Sequence, residues 1–171
     1  MGRSTEQPMP DPIATLTTAR LVAEPVAQSH FPENYRLHTD PKVMKTLSAD
    51  GKPLTEKATR EHIRQSAGHW GQHGFGLWVF RRRTDGQFIG RGGLKIYQIE
   101  GNDVIGLAYA LLSDFWNRGF ATEMGQVSLE IGFGRLLDLP HALKNATMLL
   151  KAFCRFRPPA AARSRACSAF A

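Results

Sequence analysis

The sequence predicts an α+β domain: a mixed, mostly antiparallel sheet flanked by helices in an α/β/α layering. Three observations carry this prediction. Apolar residues recur at helical spacing as far as about His69, and from Leu77 the pattern turns to sheet. Thr84-Asp85-Gly86 lies between two strand-like runs and marks a hairpin. Val104–Leu112, apolar on both faces, passes through a short loop into a long amphipathic segment.

Taken in order, residues 1–12 read as a disordered leader, with Pro8, Pro10 and acidic residues but no apolar core. The domain is expected over residues 13–139. Leu16 to Glu24 reads as a first strand, with Leu21 and Ala23 alternating against Arg20 and Val22. Ser29 to Leu47 reads as mostly helix, broken near Asp40-Pro41 because the residue before a proline avoids the α region. Thr55 is placed to cap a helix running to about His69, with Glu56 in its first turn and Ile63, Ala67 and Trp70 at helical spacing. Gly74 and Gly76 end it. Leu77–Arg82 and Phe88–Tyr97 form the hairpin, and Glu100-Gly101-Asn102-Asp103 turns into Val104–Leu112, a central strand by its two apolar faces. Arg118 to about Leu137 is the last helix, with Met124, Val127 and Ile131 on one face and Glu123, Gln126 and Glu130 on another. Trp70, Phe75 and Trp78 read as core or pocket wall. No internal repeat is visible, which argues against a solenoid or propeller.

Composition narrows the function classes. A chain of 171 residues with 42% hydrophobic and 22% charged residues suits one soluble globular domain. Its longest apolar run, nine residues from Val104 to Leu112, is too short to span a bilayer, so no membrane partner is expected. Cys154 and Cys167 give no disulfide framework and no CxxC spacing, which fits a reducing cytoplasm. The net charge of +7 sits in a tail: no acidic residue follows Asp138, whereas Lys144, Lys151, Arg155, Arg157, Arg163 and Arg165 do. The body before the tail carries 16 basic against 15 acidic residues. A near-neutral body argues against a large nucleic-acid footprint.

The chemistry is expected where Val104–Leu112 breaks into Ser113-Asp114-Phe115-Trp116-Asn117-Arg118-Gly119-Phe120-Ala121-Thr122 and opens the last helix. A helix start has unpaired N–H groups and partial positive charge, so it suits a phosphate. Gly119 admits an anion close to the backbone and Ala121 keeps the surface free of bulk. Arg118 adds a cation, and the Thr122 hydroxyl can donate. The same residues also fit an ordinary strand-to-helix turn with a helpful glycine.

Tyr109 through Glu123 resembles the acetyl-CoA signature of the GNAT N-acetyltransferase superfamily, in the branch that includes ribosomal-protein N-terminal (alanine) acetyltransferases. Thr18-Ala19-Arg20-Leu21, His38-Thr39-Asp40-Pro41-Lys42-Val43-Met44, Gly74-Phe75-Gly76-Leu77-Trp78 and Phe88-Ile89-Gly90-Arg91-Gly92-Gly93-Leu94 follow in the family's order, over roughly residues 15–139. The resemblance implies a GNAT-like fold and acetyl-CoA as co-substrate, with no metal. It implies that main-chain groups of Ala110 and Leu111 pair with the pantetheine arm like an added strand. Amides from Asn117, Arg118, Gly119, Phe120, Ala121 and Thr122 would hold the pyrophosphate. Where the family's general pattern has Gln or Arg, this chain has Trp116, as is common in that branch.

Two departures matter. The family's Glu in this strand, three residues before Tyr109, is here Gly106, which leaves His69, His73, Tyr97 and Glu100 as candidate bases acting through a water. No catalytic residue is assigned among them. After Leu139 the family's closing strand and helix are not recognisable, so the C-terminal elements are atypical or missing. Leu139-Pro140-His141-Ala142-Leu143 gives way to an Ala/Arg-rich segment over 140–171, which fits a diverged or frame-changed end, or a basic tail that binds RNA or the ribosome. A sheet edge left exposed would favour association, so a homodimer is among the expected assemblies. Three functions follow. The first is acetyl transfer to a primary amine, on a protein N-terminus or a small molecule, by direct attack in a ternary complex. The others are a CoA-binding module that no longer transfers, and an RNA or ribosome binder acting through its tail.

Overall fold

A computed structural model describes residues 15–99 and 101–136. The leader, Glu100, the boundary at 139 and the basic segment lie outside the described residues. In chain order the elements are β1 (Leu16–Thr17), β2 (Leu21–Pro25), α1 (Phe31–Thr39), α2 (Pro41–Leu47), α3 (Glu56–His73), β3 (Leu77–Arg82), β4 (Phe88–Ile99), β5 (Asn102–Leu111) and α4 (Phe120–Leu136). Short 3-10 turns occupy Gln28–His30 and Ser113–Phe115. The strands form one five-stranded sheet in the order β1-β2-β3-β4-β5, every pairing antiparallel.

The α+β layering is as the sequence indicates. Along β4, alternate residues serve opposite layers. The Arg91 side chain bonds His38 of α1 and His62 of α3. A Cβ on Gly92 would meet Met124 of α4 at 3.0 Å. Helices α1 and α3 therefore cover one face and α4 the other. Leu21, Trp78, Phe80, Ile89, Ile63, Leu37 and Met124 are fully buried between them. Gly93 (φ 152) is held to glycine by a close approach: a Cβ there would stand 2.1 Å from the Gly76 carbonyl oxygen.

Several local signals act as read. The break expected at Asp40-Pro41 separates α1 from α2, and the extended Asp40 also caps α2, which was not expected: its carboxylate accepts from the amides of Lys42 (2.9 Å) and Val43 (3.3 Å). Thr55 caps α3 through Ala58 N at 3.2 Å. Gly74 ends α3 in a left-handed conformation (φ 69), so the helix continues to His73 rather than stopping near His69. Trp70 and Trp78 meet edge to face at 4.8 Å between centroids, and the Trp70 indole donates to the Leu77 carbonyl at 2.7 Å, so both are core.

Three expectations change. The single strand over Leu16 to Glu24 is two strands, because Thr18 and Leu21 close a tight turn: Thr18 N donates to Leu21 O at 2.9 Å and Leu21 N to Thr18 Oγ1 at 3.0 Å. The strand over Val104–Leu112 is central in the sequence reading. Among the described residues it is instead the edge of the sheet, and its two apolar faces are covered by α2 and α4. The last helix starts at Phe120 rather than Arg118, because Asn117 (φ 59) and Gly119 (φ 76) are left-handed.

Candidate functional site

The site is built where β5 ends and α4 begins. Gly90 stands opposite Leu111, and Leu112 N donates to Ile89 O at 2.9 Å. Bonded and non-bonded pairs alternate in an antiparallel ladder, so the Gly90–Leu111 pair is non-bonded. The amide and carbonyl of Leu111 thus face away from β4, on a side of β5 that pairs with no strand among the described residues, while the main chain of Ala110 faces β4. The Trp116 indole Nε1–H donates to the outward Leu111 carbonyl at 3.0 Å.

From Leu112 the chain enters the 3-10 turn, whose first amide, Ser113 N, donates to Asp40 Oδ2 at 3.2 Å. Asp40 thereby ties the start of α2 to the end of β5. Burial works against its charge, but the bonds from Ser113, Lys42 and Val43 prevail and hold its carboxyl below the usual range. Phe115 is buried and meets Phe120 edge-on at 6.0 Å, plugging the loop onto the core. The left-handed Asn117 and Gly119 curl the backbone into α4, whose first rung is Glu123 N to Gly119 O at 3.2 Å. The amides of Phe120, Ala121 and Thr122 therefore precede the first intrahelical bond, and glycine at the cap offers no side chain to accept from them.

These parts enclose one cleft of about 690 Å³. Ala110, Leu111, Asn117, Gly119, Phe120, Ala121 and Thr122 line it, opposite Val43, Thr46 and Leu47 of α2. Arg118 is the residue of the expected set that does not line it. Its side chain is exposed, with the guanidinium 5.9 Å from the Phe115 ring centre, and its carbonyl accepts from Arg20 Nη1 at 2.9 Å. Among the described residues no charged side chain lines the cleft, and the positive potential they supply there comes from the amides and dipole of α4.

Arg20 is the residue that the local sequence pattern missed. Its Nε and backbone N donate to the Glu123 carboxylate at 2.7 and 2.9 Å, beside the Thr18 hydroxyl at 2.5 Å. Its guanidinium also lies over the Phe120 ring, 4.4 Å from the centroid. The β1–β2 turn is thus clamped onto the first turn of α4. Nothing in spacing predicts contacts across about a hundred residues of chain; Arg20 was visible only within the Thr18–Leu21 resemblance.

A family model for the acetyltransferase (GNAT) domain matches residues 20–155. The chain belongs to the GNAT acetyltransferase family. YkkB of Bacillus subtilis (strain 168) is 31% identical over 98 residues, 57% of this chain and 55% of that protein. The chain thus matches about half the length of that curated relative. An acetyltransferase from Agrobacterium tumefaciens str. C58 is similar in fold, with a TM-score of 0.61 and 24% identity over 81% of this chain and 75% of that one. RimL, a ribosomal L7/L12 alpha-N-protein acetyltransferase solved in complex with coenzyme A, gives a TM-score of 0.54 and 16% identity over 69% and 66%.

Within this GNAT domain the candidate bases separate. His69 is committed on both ring nitrogens: Nδ1 bonds the Phe75 carbonyl at 2.8 Å, and Nε2 accepts from Ile96 N at 3.1 Å. Burial pulls its pKa down, and its lone pair is spent tethering α3 to β4. His73 packs on the His69 and Phe75 rings. Tyr97 lies over Gly106, where a Cβ would meet its ring at 3.0 Å, and burial raises the phenol pKa. No carboxylate stands at the Gly106 position, and a side chain there would have to displace Tyr97.

A second polar cluster was not anticipated. Arg91 is buried, and its Nη1 and Nη2 bond His62 Nε2 at 3.1 Å and His38 Nε2 at 3.0 Å. His38 Nδ1 bonds Thr59 Oγ1 at 3.1 Å. Among the described residues no carboxylate pairs with this guanidinium, and its Nε is buried without a partner. Burial, then the Arg91 charge, lowers His38 to about 4 and His62 to about 3. Both imidazoles are therefore neutral acceptors at neutral pH.

Proposed function

We propose that this GNAT-family chain binds acetyl-CoA and transfers its acetyl group to a primary amine, on a protein N-terminus or a small molecule. One observation carries the reading: Leu111, whose main chain faces away from β4, lines the same cleft as Phe120, Ala121 and Thr122, whose amides bond no acceptor among the described residues. A bis-amide arm can pair with the former while a pyrophosphate sits on the latter. The coenzyme A complex of RimL supports the ligand class. Phe120, Ala121 and Thr122 hold the pyrophosphate with Asn117 and Gly119; Arg118, outside the lining, reaches a phosphate from the rim. Leu111 orients the arm, and Ala110 keeps the floor narrow.

In the transfer, the acceptor nitrogen loses a proton to solvent and its lone pair forms the N–C bond at the thioester carbon. The C–S bond then breaks as the nitrogen gives up its second proton, which passes through water to the leaving thiolate. The chain's contribution is to hold the two reactants together and to place amides near the developing oxyanion. A second reading, CoA binding without transfer, is favoured by Gly106 under Tyr97 and by the doubly bonded His69. The two cysteines keep the cytoplasm as the proposed compartment.

Calorimetric titration of the full chain with acetyl-CoA tests the cofactor, and release of free thiol from acetyl-CoA with an amine panel tests transfer. Saturable binding with amine-dependent thiol release is the expected result. Binding without release supports the second reading. Absence of binding by a folded chain overturns both.

A further inference from the structure

We propose that Trp116 gates the edge of β5: its indole N–H occupies the outward carbonyl of Leu111, and a pantetheine arm must displace it to pair there. The inference rests on the CoA reading above. The Leu111 carbonyl is the acceptor that an added strand-like ligand would use, because its ladder pair is non-bonded and it faces the cleft. The structure places the Trp116 Nε1–H on that acceptor at 3.0 Å. Burial does not impose this bond. Trp116 is 37% exposed, so water could satisfy the indole and leave the carbonyl open.

The local backbone suits a moving side chain. Trp116 ends the 3-10 turn, with its own amide on Ser113 O at 3.2 Å, and is followed by the left-handed Asn117. The ring rests on the surface of the cleft, whereas the neighbouring Phe115 and Phe120 are buried. Swinging the indole outward breaks one neutral hydrogen bond and leaves the core intact. A ligand with an amide arm then restores that bond from its own N–H. A nucleotide without the arm has nothing to offer at Leu111 and leaves Trp116 in place.

The contrast between those two ligands is the test. Trp116→Phe keeps the ring and removes the N–H, so the full-length variant is expected to bind CoA about three- to tenfold more tightly, the span of one neutral hydrogen bond lost from the free state. Its affinity for adenosine 3′,5′-bisphosphate, which lacks the arm, stays unchanged. The wild-type chain supplies an independent readout, since Trp70 and Trp78 are buried and Trp116 is exposed. Its tryptophan emission shifts on saturation with CoA and does not shift with adenosine 3′,5′-bisphosphate. Unchanged or weaker CoA binding by the variant overturns the gate, as does an emission unmoved by CoA. If the wild-type chain binds neither nucleotide, the cofactor reading falls and takes the gate with it, a result distinct from a gate that fails while CoA still binds.

Discussion

At Gly119, backbone and charge requirements coincide. Its φ of 76 lies in the left-handed region, where an L side chain costs about 1–2 kcal/mol, and a Cβ would come to 3.4 Å from Arg20 Nη2. Gly119→Ala adds only that strain, so acetyl-CoA affinity should fall by no more than about tenfold. Gly119→Glu also sets a carboxylate beside the proposed pyrophosphate, where like charges about 4 Å apart repel by roughly 4 kcal/mol in a half-shielded site. Its affinity should fall by about a hundredfold or more, with the far-ultraviolet circular dichroism unchanged. Calorimetry on both variants separates strain from charge, and equal losses would remove the pyrophosphate from this loop. The left-handed turn at Gly119 was legible in the sequence, because a glycine between a strand and a helix suits a backbone that must take a positive φ there. The outward face of Leu111 was not, since it depends on which ladder pairs are bonded, and that is fixed by the register with Gly90 on another strand.

The elements divide the same way. The helix α3, with its Thr55 cap and its period, could be read from local sequence, as could the break at Asp40-Pro41 and the β3–β4 hairpin at Asp85-Gly86. The first strand is harder: Leu16 falls out of phase with Leu21 and Ala23, and that break, with the Thr18 side chain, is the local mark of the turn that splits it. That turn matters for the site, since Thr18 and Arg20 hold Glu123 on α4. Burial alone would raise the Glu123 carboxyl, but the bonds from Thr18 and Arg20 outweigh it and hold it below the usual range. Its folded-state pKa is thus depressed, so the clamp's contribution is present above about pH 4.5 and is lost as pH falls through the folded value. Glu123→Ala leaves Arg20 without its carboxylate and frees the first turn of α4. Because the Arg20 side chain is 48% exposed, we expect a loss of about 1–2 kcal/mol in urea unfolding rather than the full worth of a charged hydrogen bond. Acetyl-CoA affinity should fall with it. A variant as stable as the parent and equally avid for acetyl-CoA would show that the clamp positions nothing.

Across the whole molecule, the Arg91 cluster joins α1, α3 and β4 in the layer that also carries the α2 wall of the cleft. A buried guanidinium is normally matched by a carboxylate. Here its partners are two neutral imidazoles, so proton uptake by either removes an acceptor and sets a second cation beside the first. The groups facing the pair are Arg91 for both histidines, Lys95 for His62, and the Thr59 hydroxyl for His38; none of them supplies negative charge. Folded-state values of about 4 and about 3 lie below the unfolded value near 6.5. The unfolded chain therefore binds more protons between those limits, and stability falls as pH drops from about 6.5 toward 4. Above pH 6.5 the histidines contribute no slope. Each withdraws stability at the acid end, since proton affinity lost on folding must be restored for the group to charge. The depressed carboxyls of Asp40 and Glu123 act only below about pH 4.5, so the two effects occupy different windows. Urea midpoints from pH 8 to 5 should decline below about 6.5 in the wild-type chain. The slope should fall in His62→Gln, whose amide oxygen can still accept from Arg91 but does not titrate, while His38 and His69, also held below the usual value, keep the remainder. A flat profile from pH 7 to 5, or one unchanged by His62→Gln, would mean that the cluster already holds a proton or lies open to water. Arg91 would then be stabilised by something other than neutral histidines.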